Sequence, residues 1–148
     1  MNKDFMTTID FYILGQTQHL DRFRFVCNLV SKVYGEGRNI YIHTQNEDDA
    51  KQLDILLWEY KEEAFLPHNM IGDPQLPESQ IQIGFQEHPN HHSDVLINLS
   101  DPIPGFFSRF QRVLEVVIQD ETILEQTRKH YKFYKDRGYE VTYRDLRG

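Results

Sequence analysis

The chain has little of several features on which common protein classes depend. Its single cysteine, Cys27, cannot form an internal disulfide, and it lies in an apolar stretch that suits a core position in a reducing compartment. No apolar run approaches the roughly 20 residues that a membrane-spanning helix needs, and no signal-peptide pattern opens the chain. These absences predict a soluble, cytoplasmic protein that makes no membrane contact.

Basic residues are also few, and they are unevenly distributed. The chain has 16 Lys and Arg against 23 Asp and Glu, a net charge of −7, which argues against indiscriminate nucleic-acid binding. Residues 1–108 hold 16 acidic and 7 basic residues, whereas residues 109–148 hold 7 acidic and 9 basic ones. The basic charge is therefore concentrated near the end of the sequence.

The motifs of nucleotide-binding and hydrolytic enzymes are missing. The single Gly15 follows the first predicted strand, where a dinucleotide fold needs several glycines to approach a pyrophosphate. Gly35 and Gly37 lie between a helix and a strand, which favours helix capping. There is no Walker lysine motif and no nucleophile elbow. We therefore predict no catalytic residues, no cofactor and no enzyme activity for the chain by itself; copurification of a nucleotide or metal would indicate otherwise.

Three of the seven histidines fall in the short polar segment 88–92 and are the natural candidates for metal ligands. A proline within this segment does not favour a fixed coordination shell, and no cysteine or recognised ligand spacing accompanies the histidines. We expect a solvated loop and no metal site.

Hydrophobic periodicity alternates between strands and helices along the chain. β-rich, alternating or continuous apolar segments predict strands at residues 8–14, 39–43, 81–85, 95–99 and 113–118. Apolar spacing of three and four residues, with capping signals, predicts helices at residues 20–33, 46–60 and 121–137, and a short helix at 106–110. Residues 65–77 read as a long irregular connection. The pattern predicts a three-layer α/β/α, Rossmann-like fold with a mostly parallel sheet, forming one domain over residues 1–148.

Residues 53–68 are the first of two segments that the scaffold alone does not explain. Trp58 and Phe65 lie where the predicted helix ends and a loop begins, and large amphipathic rings in such places often anchor a partner. The alternative is that Trp58 closes the core and Phe65 packs beneath the loop. Both interpretations fit the sequence.

The second segment is residues 128–137, which hold five basic and three aromatic side chains. Arg128, Tyr131, Lys132 and Lys135 follow one another at helical spacing and share one face of the predicted helix. We call these four residues the basic stripe. The alternative is a solvated face whose cations complement the helix dipole.

With these segments the sequence resembles the chi accessory subunits of bacterial DNA polymerase III. The most specific pieces are Leu-Trp at 57–58 followed by Phe-x-Pro-His at 65–68, and Arg-x-x-Tyr-Lys-x-Tyr at 128–134. Similar segments at 8–14 and 94–99 spread the resemblance over the whole chain. It implies a non-catalytic clamp-loader accessory protein that bridges the psi subunit to the acidic C-terminal tail of single-stranded DNA-binding protein, and that meets DNA only indirectly.

The resemblance implies a separate surface for each partner. Psi is expected to bind at Trp58, Phe65, Leu66 and Pro67, where a helicase that competes with psi is a further candidate partner. The tail is expected to bind at Arg128, Lys129, Tyr131, Lys132, Lys135 and Gly138.

The chemistry of such a tail fits the basic stripe. A peptide that ends in acidic residues, an aromatic ring and a free carboxylate needs cations for its charges and an apolar cleft for the ring. Arg128 is then the carboxylate clamp, Tyr131 a wall of the ring pocket, and the lysines the field that attracts the acidic residues. The alternative function is direct binding of single-stranded DNA, with bases stacked on Tyr131 and Tyr134.

Overall fold

A single seven-stranded sheet organises the protein. The computed structural model describes residues 6–60, 66–71, 79–86, 89 and 91–147. The strands are β1 (Thr8–Leu14), β2 (Ile40–His43), β3 (His68–Met70), β4 (Ile81–Gly84), β5 (Val95–Asn98), β6 (Arg112–Val117) and β7 (Glu140–Leu146). Their order across the sheet is β3-β4-β2-β5-β6-β1-β7, and every described pair is parallel.

In the described part of the chain, three α-helices cover the two faces of this sheet: α1 (His19–Gly35), α2 (Glu47–Glu59) and α3 (Glu121–Asp136). Successive side chains of a strand point to opposite faces, so β1 shows which helix lies where. Phe11 packs against Tyr131 and Tyr134 of α3, whereas its neighbour Tyr12 packs against Phe25 of α1. α1 and α3 therefore lie on opposite faces, as a three-layer α/β/α fold requires.

α2 lies on the same face as α1, towards the β3–β4 end of the sheet. It contacts α1, β3 and β4, and the Tyr60 hydroxyl at its end donates a hydrogen bond to Asn28 of α1. The Asn46 side chain caps its N-terminus by accepting a hydrogen bond from the Asp49 amide at 2.8 Å, as its position in the sequence predicts. The contact between α1 and α2 therefore places both helices on the same face of the sheet.

A buried ion pair joins α3 to the middle of the sheet. Glu115 of β6 accepts a 2.7 Å hydrogen bond from His130 Nδ1 and a 2.8 Å hydrogen bond from the Tyr134 hydroxyl. The other nitrogen of His130 faces the Asp101 carbonyl oxygen. Because both partners of the ring are acceptors, the doubly protonated imidazolium satisfies them best. Burial alone would lower the His130 pKa, but the Glu115 carboxylate and the Asp101 carbonyl together raise it.

The predicted strands and helices are confirmed within one or two residues at each end. The short helix predicted at 106–110 is a 3₁₀ helix, Phe107–Arg109. Cys27 is buried in the core, where burial raises its pKa to about 11. Gly37 follows the end of α1, and its amide bonds to the Tyr34 carbonyl, which confirms the capping interpretation.

Two strands are absent from the sequence interpretation. The connection predicted to be irregular over 65–77 contains the three-residue strand β3, so that part of the prediction is wrong. β3 was not predicted because it is short and its buried residues include the polar His68 and Asn69, so it shows no alternation of apolar and polar residues. β7 was not predicted because it is an edge strand with three charged residues among its seven and an almost wholly exposed surface.

Glu115→Gln is expected to reveal the charge on His130 through the pH dependence of stability. The raised pKa means that the pair contributes fully below the unfolded-state histidine value of 6.5 and that its contribution is lost as pH rises through the folded-state pKa. Urea unfolding followed by circular dichroism should therefore show a loss of about 3–5 kcal/mol at pH 6 that shrinks towards pH 9. His19→Gln, at an exposed histidine of α1, is the control and should follow the unsubstituted protein. A loss that grows with pH would contradict a charged His130.

Candidate protein-binding surfaces

The basic stripe lies on one face of α3 and adjoins β7 through Tyr131, whose ring contacts Tyr143. The helix spans Glu121–Asp136, so Arg128, Tyr131, Lys132 and Lys135 fall within an arc of about 100° on its circumference. His130 and Tyr134 project towards the sheet, and they set the rotation of the helix. The predicted common face is confirmed as a feature of the helix.

The cations of this helix differ in how far neighbouring side chains already neutralise them. Lys132 forms a 2.8 Å ion pair with Asp136, and Lys129 lies 3.9 Å from Glu125. Arg137, just after the helix, lies over the Phe133 ring at 3.7 Å. In the part of the chain that the structure describes, no carboxylate lies within ion-pair distance of Arg128 or Lys135. These two exposed cations are the ones most available to an anionic ligand.

Tyr131 and Tyr143 form an aromatic shelf beside these two cations. Their ring centroids are 5.3 Å apart, and both rings pack on Phe11 of β1. Tyr143 is 49% exposed. Partial burial and a hydrogen bond with Tyr131 raise the pKa of Tyr143 to about 12, so its hydroxyl stays neutral at physiological pH. Tyr143 was missed by the sequence interpretation because β7 was missed.

Gly138 ends α3 and does so in a conformation that favours glycine. Its φ is 80°, its amide bonds to the Lys135 carbonyl at 3.0 Å, and the Tyr139 amide bonds to the Tyr134 carbonyl at 3.1 Å. This geometry turns the chain from α3 into β7. Gly138 therefore has a structural role close to the basic stripe, independent of any ligand contact.

A second exposed patch lies on α2. Trp58 is 53% exposed and Ile55 is 56% exposed, and they are three residues apart on one helix. The Trp58 ring lies against the buried His68 ring, with centroids 4.1 Å apart. The alternative in which Trp58 closes the core is therefore wrong. Ile55, which the sequence interpretation did not single out, extends the same apolar surface.

The other residues predicted for this surface lie in different environments. Leu66 is only 4% exposed and belongs to the core, and its carbonyl accepts a 2.6 Å hydrogen bond from His68. Pro67 is half-buried beside it. Phe65 lies outside the residues that the structure describes. Leu66 thus presents little side chain to a partner.

The features considered for other functions have local structural explanations. At Gly15, a Cβ atom would lie 3.4 Å from the Arg147 carbonyl oxygen, so the glycine lets the chain after β7 pass closely. His92 is buried and its Nε2 bonds to the Ser79 carbonyl at 2.8 Å, so the solvated loop expected here is wrong at this residue. No group of three potential metal ligands occurs among the described residues. None of the described helices is long and apolar enough to span a membrane.

The two exposed surfaces are far apart in the fold. The Trp58–Ile55 patch lies on the α1–α2 face, towards the β3–β4 edge. The basic stripe lies on the opposite face, beside the β7 edge. The two surfaces therefore share no residue and do not overlap.

Comparison with known proteins gives one consistent result. The family model described as DNA polymerase III chi subunit, HolC, matches residues 6–142. The chain is 34% identical over 134 residues to DNA polymerase III subunit chi of Pseudomonas aeruginosa, covering 90% of this chain and 93% of that one. It is 29% identical over 136 residues to the Haemophilus influenzae subunit (91% and 94%) and 26% identical over 141 residues to that of Escherichia coli (92% and 96%).

Alanine substitutions on the α2 side are expected to distinguish a core residue from a surface residue by their effect on stability. Leu66→Ala should lower the free energy of unfolding by about 2–5 kcal/mol, because it removes a buried side chain. Trp58→Ala should cost less than about 1 kcal/mol, since half of the ring is already in water. Urea denaturation of both variants measures the difference. Equal losses would mean that Trp58 belongs to the core and would contradict the exposed patch.

Proposed function

The chain belongs to the family of DNA polymerase III chi subunits, and from this premise we propose that it is a non-catalytic adaptor of the clamp-loader assembly. It bridges the psi subunit to the acidic C-terminal tail of single-stranded DNA-binding protein. Each partner takes one of the two separated surfaces. The adaptor thereby holds the polymerase assembly at DNA that the tail-bearing protein already coats.

The observation that carries the tail site is the position of Arg128 and Lys135 beside the Tyr131–Tyr143 shelf. A terminal carboxylate can take two parallel hydrogen bonds from a guanidinium, and Arg128 has no competing carboxylate in the described part of the structure. An aromatic side chain of the tail can lie on the shelf, while Lys135 and Lys132 attract the acidic residues before it. Lys129 lies about 160° round the helix from Tyr131 and 3.9 Å from Glu125, so it contributes only long-range attraction.

Affinity at this site should be modest. The stripe is exposed, so salt screens its charges, and a disordered tail loses conformational entropy when it binds. We expect a dissociation constant near 1 μM, about −8 kcal/mol. Several tails on one oligomer, together with linkage through psi, raise the effective concentration, so weak single contacts suffice.

Psi is assigned to the patch on α2. Trp58 and Ile55 offer an exposed apolar surface on a helix, and a half-exposed tryptophan is a common anchor of protein interfaces. Pro67 and the buried Leu66 directly precede His68, which joins their segment to α2 through a 3.1 Å hydrogen bond with the Asp54 carbonyl. A helicase that used the same tryptophan would compete with psi.

Direct binding of single-stranded DNA is the weaker alternative. It required bases to stack on both Tyr131 and Tyr134, but Tyr134 is fully buried and its hydroxyl donates to Glu115. Burial, together with the charge of Glu115, raises the Tyr134 pKa far above its usual value, which keeps this buried donor protonated. Tyr131 and Tyr143 remain as stacking platforms, but the net charge of −7 opposes a phosphate backbone.

Arg128→Ala is expected to weaken tail binding by about 10- to 150-fold, because it removes the bidentate partner of the terminal carboxylate. Isothermal titration with a synthetic acidic tail peptide measures the loss. Lys135→Ala should weaken binding much less. Lys129→Ala should weaken it by less than about twofold, since Lys129 lies far round the helix from the Tyr131 ring and next to Glu125.

Salt and peptide chemistry provide the control for this prediction. Raising salt from about 50 to about 300 mM should weaken the unsubstituted complex, yet Arg128→Ala should stay weaker throughout. Amidating the terminal carboxylate should impair the unsubstituted protein strongly and Arg128→Ala hardly at all. If every basic substitution lowered the peptide affinity equally and amidation did not change it, the specific carboxylate site would be contradicted. The tail would then bind only to a diffuse positive surface. Tighter binding of a bare oligonucleotide than of the peptide would favour the DNA alternative.

Trp58→Ala should abolish capture of purified psi while leaving binding of the tail peptide unchanged, because the two surfaces lie on opposite faces of the sheet. Ile55→Ser should weaken psi binding by a smaller factor. The matched control is Tyr143→Ser, which should reduce tail binding and spare psi. Full retention of psi by Trp58→Ala would show that psi docks elsewhere.

A further inference from the structure

β7 is an edge strand whose outer side is open in the described part of the protein. It is hydrogen-bonded to β1 on one side, and no described strand lies on the other. It runs for 7 residues, of which all but Val141 are exposed. Alternate residues of such an edge turn both their N–H and their C=O groups outwards, where another chain can bond to them.

The basic stripe lies next to this edge through its Tyr131. Tyr131 contacts Tyr143, which shows that this side of α3 faces β7. Arg128 and Lys135 lie about 40–60° further round the helix than Tyr131, away from the sheet. Their long, flexible side chains can reach from there to a chain bound along the edge of β7.

The charges around the edge suit an acidic occupant. Arg128 and Lys135 lie on α3, on one face of the sheet, and have no carboxylate within ion-pair distance among the described residues. Arg144 lies on the other face, where it forms a 3.7 Å ion pair with Asp10, so its charge is partly neutralised. The two carboxylates of β7 are Glu140 at its first residue and Asp145 near its end. Arg147 holds Asp145 in a 2.7 Å ion pair, which lowers the Asp145 pKa to about 2 and neutralises much of its charge.

We propose that the acidic tail binds as an eighth, parallel strand hydrogen-bonded to the free edge of β7. This rests on the proposed function and adds the binding mode. Backbone hydrogen bonds of β7 hold the peptide chain, the Tyr131–Tyr143 shelf receives its aromatic ring, and Arg128 and Lys135 take its charges.

The direction of the added strand follows from the direction of α3. The helix runs against the strands, so Arg128 lies level with the later part of β7 and Lys135 lies level with its start. The two residues are about 10 Å apart along the helix axis, which is about three residues of extended chain. A terminal carboxylate at Arg128 therefore places acidic residues three positions earlier at Lys135, and the peptide runs parallel to β7.

Backbone N-methylation of the tail peptide tests the proposal with the intact protein. The probe is an acidic peptide of about nine residues ending in Phe with a free carboxylate, methylated at one amide at a time. Strand addition predicts that every second methylation weakens binding by about 3- to 10-fold and that those between change it by less than about twofold. Uniform tolerance, with the unmodified peptide still binding, would overturn strand addition and leave the tail site intact.

Amide exchange measured by NMR provides the complementary readout. Saturating peptide should slow exchange at alternate residues of β7 by at least about tenfold, because outward amides gain partners. A spin label on the peptide's first residue should broaden signals near Glu140 more than near Leu146. Unchanged β7 exchange in a peptide-saturated sample would overturn the proposal. Failure of the unmodified peptide to bind at all would overturn the tail-binding function as well.

Discussion

The buried carboxylate of Glu115 is the contact on which the arrangement of α3 depends. It accepts hydrogen bonds from His130 and from Tyr134, which are one helical turn apart on α3, and Asn98 of β5 donates to it at 3.4 Å. Burying a charge is costly unless a counter-charge and hydrogen bonds surround it. Because the two donors come from successive turns, the carboxylate fixes both the rotation of the helix and its position along its axis.

That rotation determines which residues reach the surface. Advancing the helix by one residue would turn it by about 100° and carry the basic stripe off the β7 side. The pair that satisfies Glu115 therefore also presents Arg128 and Lys135 at the edge of the sheet, although neither touches Glu115. A mutation at His130 could impair the proposed tail site without altering a residue of that site, and stability measurements are needed to interpret it.

Much of the fold could be predicted because the inner strands of the sheet, from β4 across to β1, are covered on both faces and therefore have clear apolar runs. The basic stripe could be predicted as one face because helical angle depends only on spacing. The exposure of Trp58 and the burial of Tyr134 could not be predicted, since both lie on amphipathic helices whose rotation is set by contacts distant in sequence. Tyr143 could not be predicted as part of the site for another reason. It lies on an edge strand, which buries few side chains and so has no clear hydrophobic pattern in the sequence.

The pairing of β1 bears on how the protein is made. This first strand has β6 and β7 as its neighbours, with Thr8 opposite Arg112 on one side and Glu140 on the other. During synthesis β1 leaves the ribosome long before either neighbour exists, and such non-local pairing slows folding. Its apolar residues, Ile9 and Phe11 among them, must stay exposed or shielded by other factors until nearly the whole domain has been translated. The edge beside α3 is then among the last parts of the protein to form, so a nascent chain can complete its α2 side before it can display its β7 side.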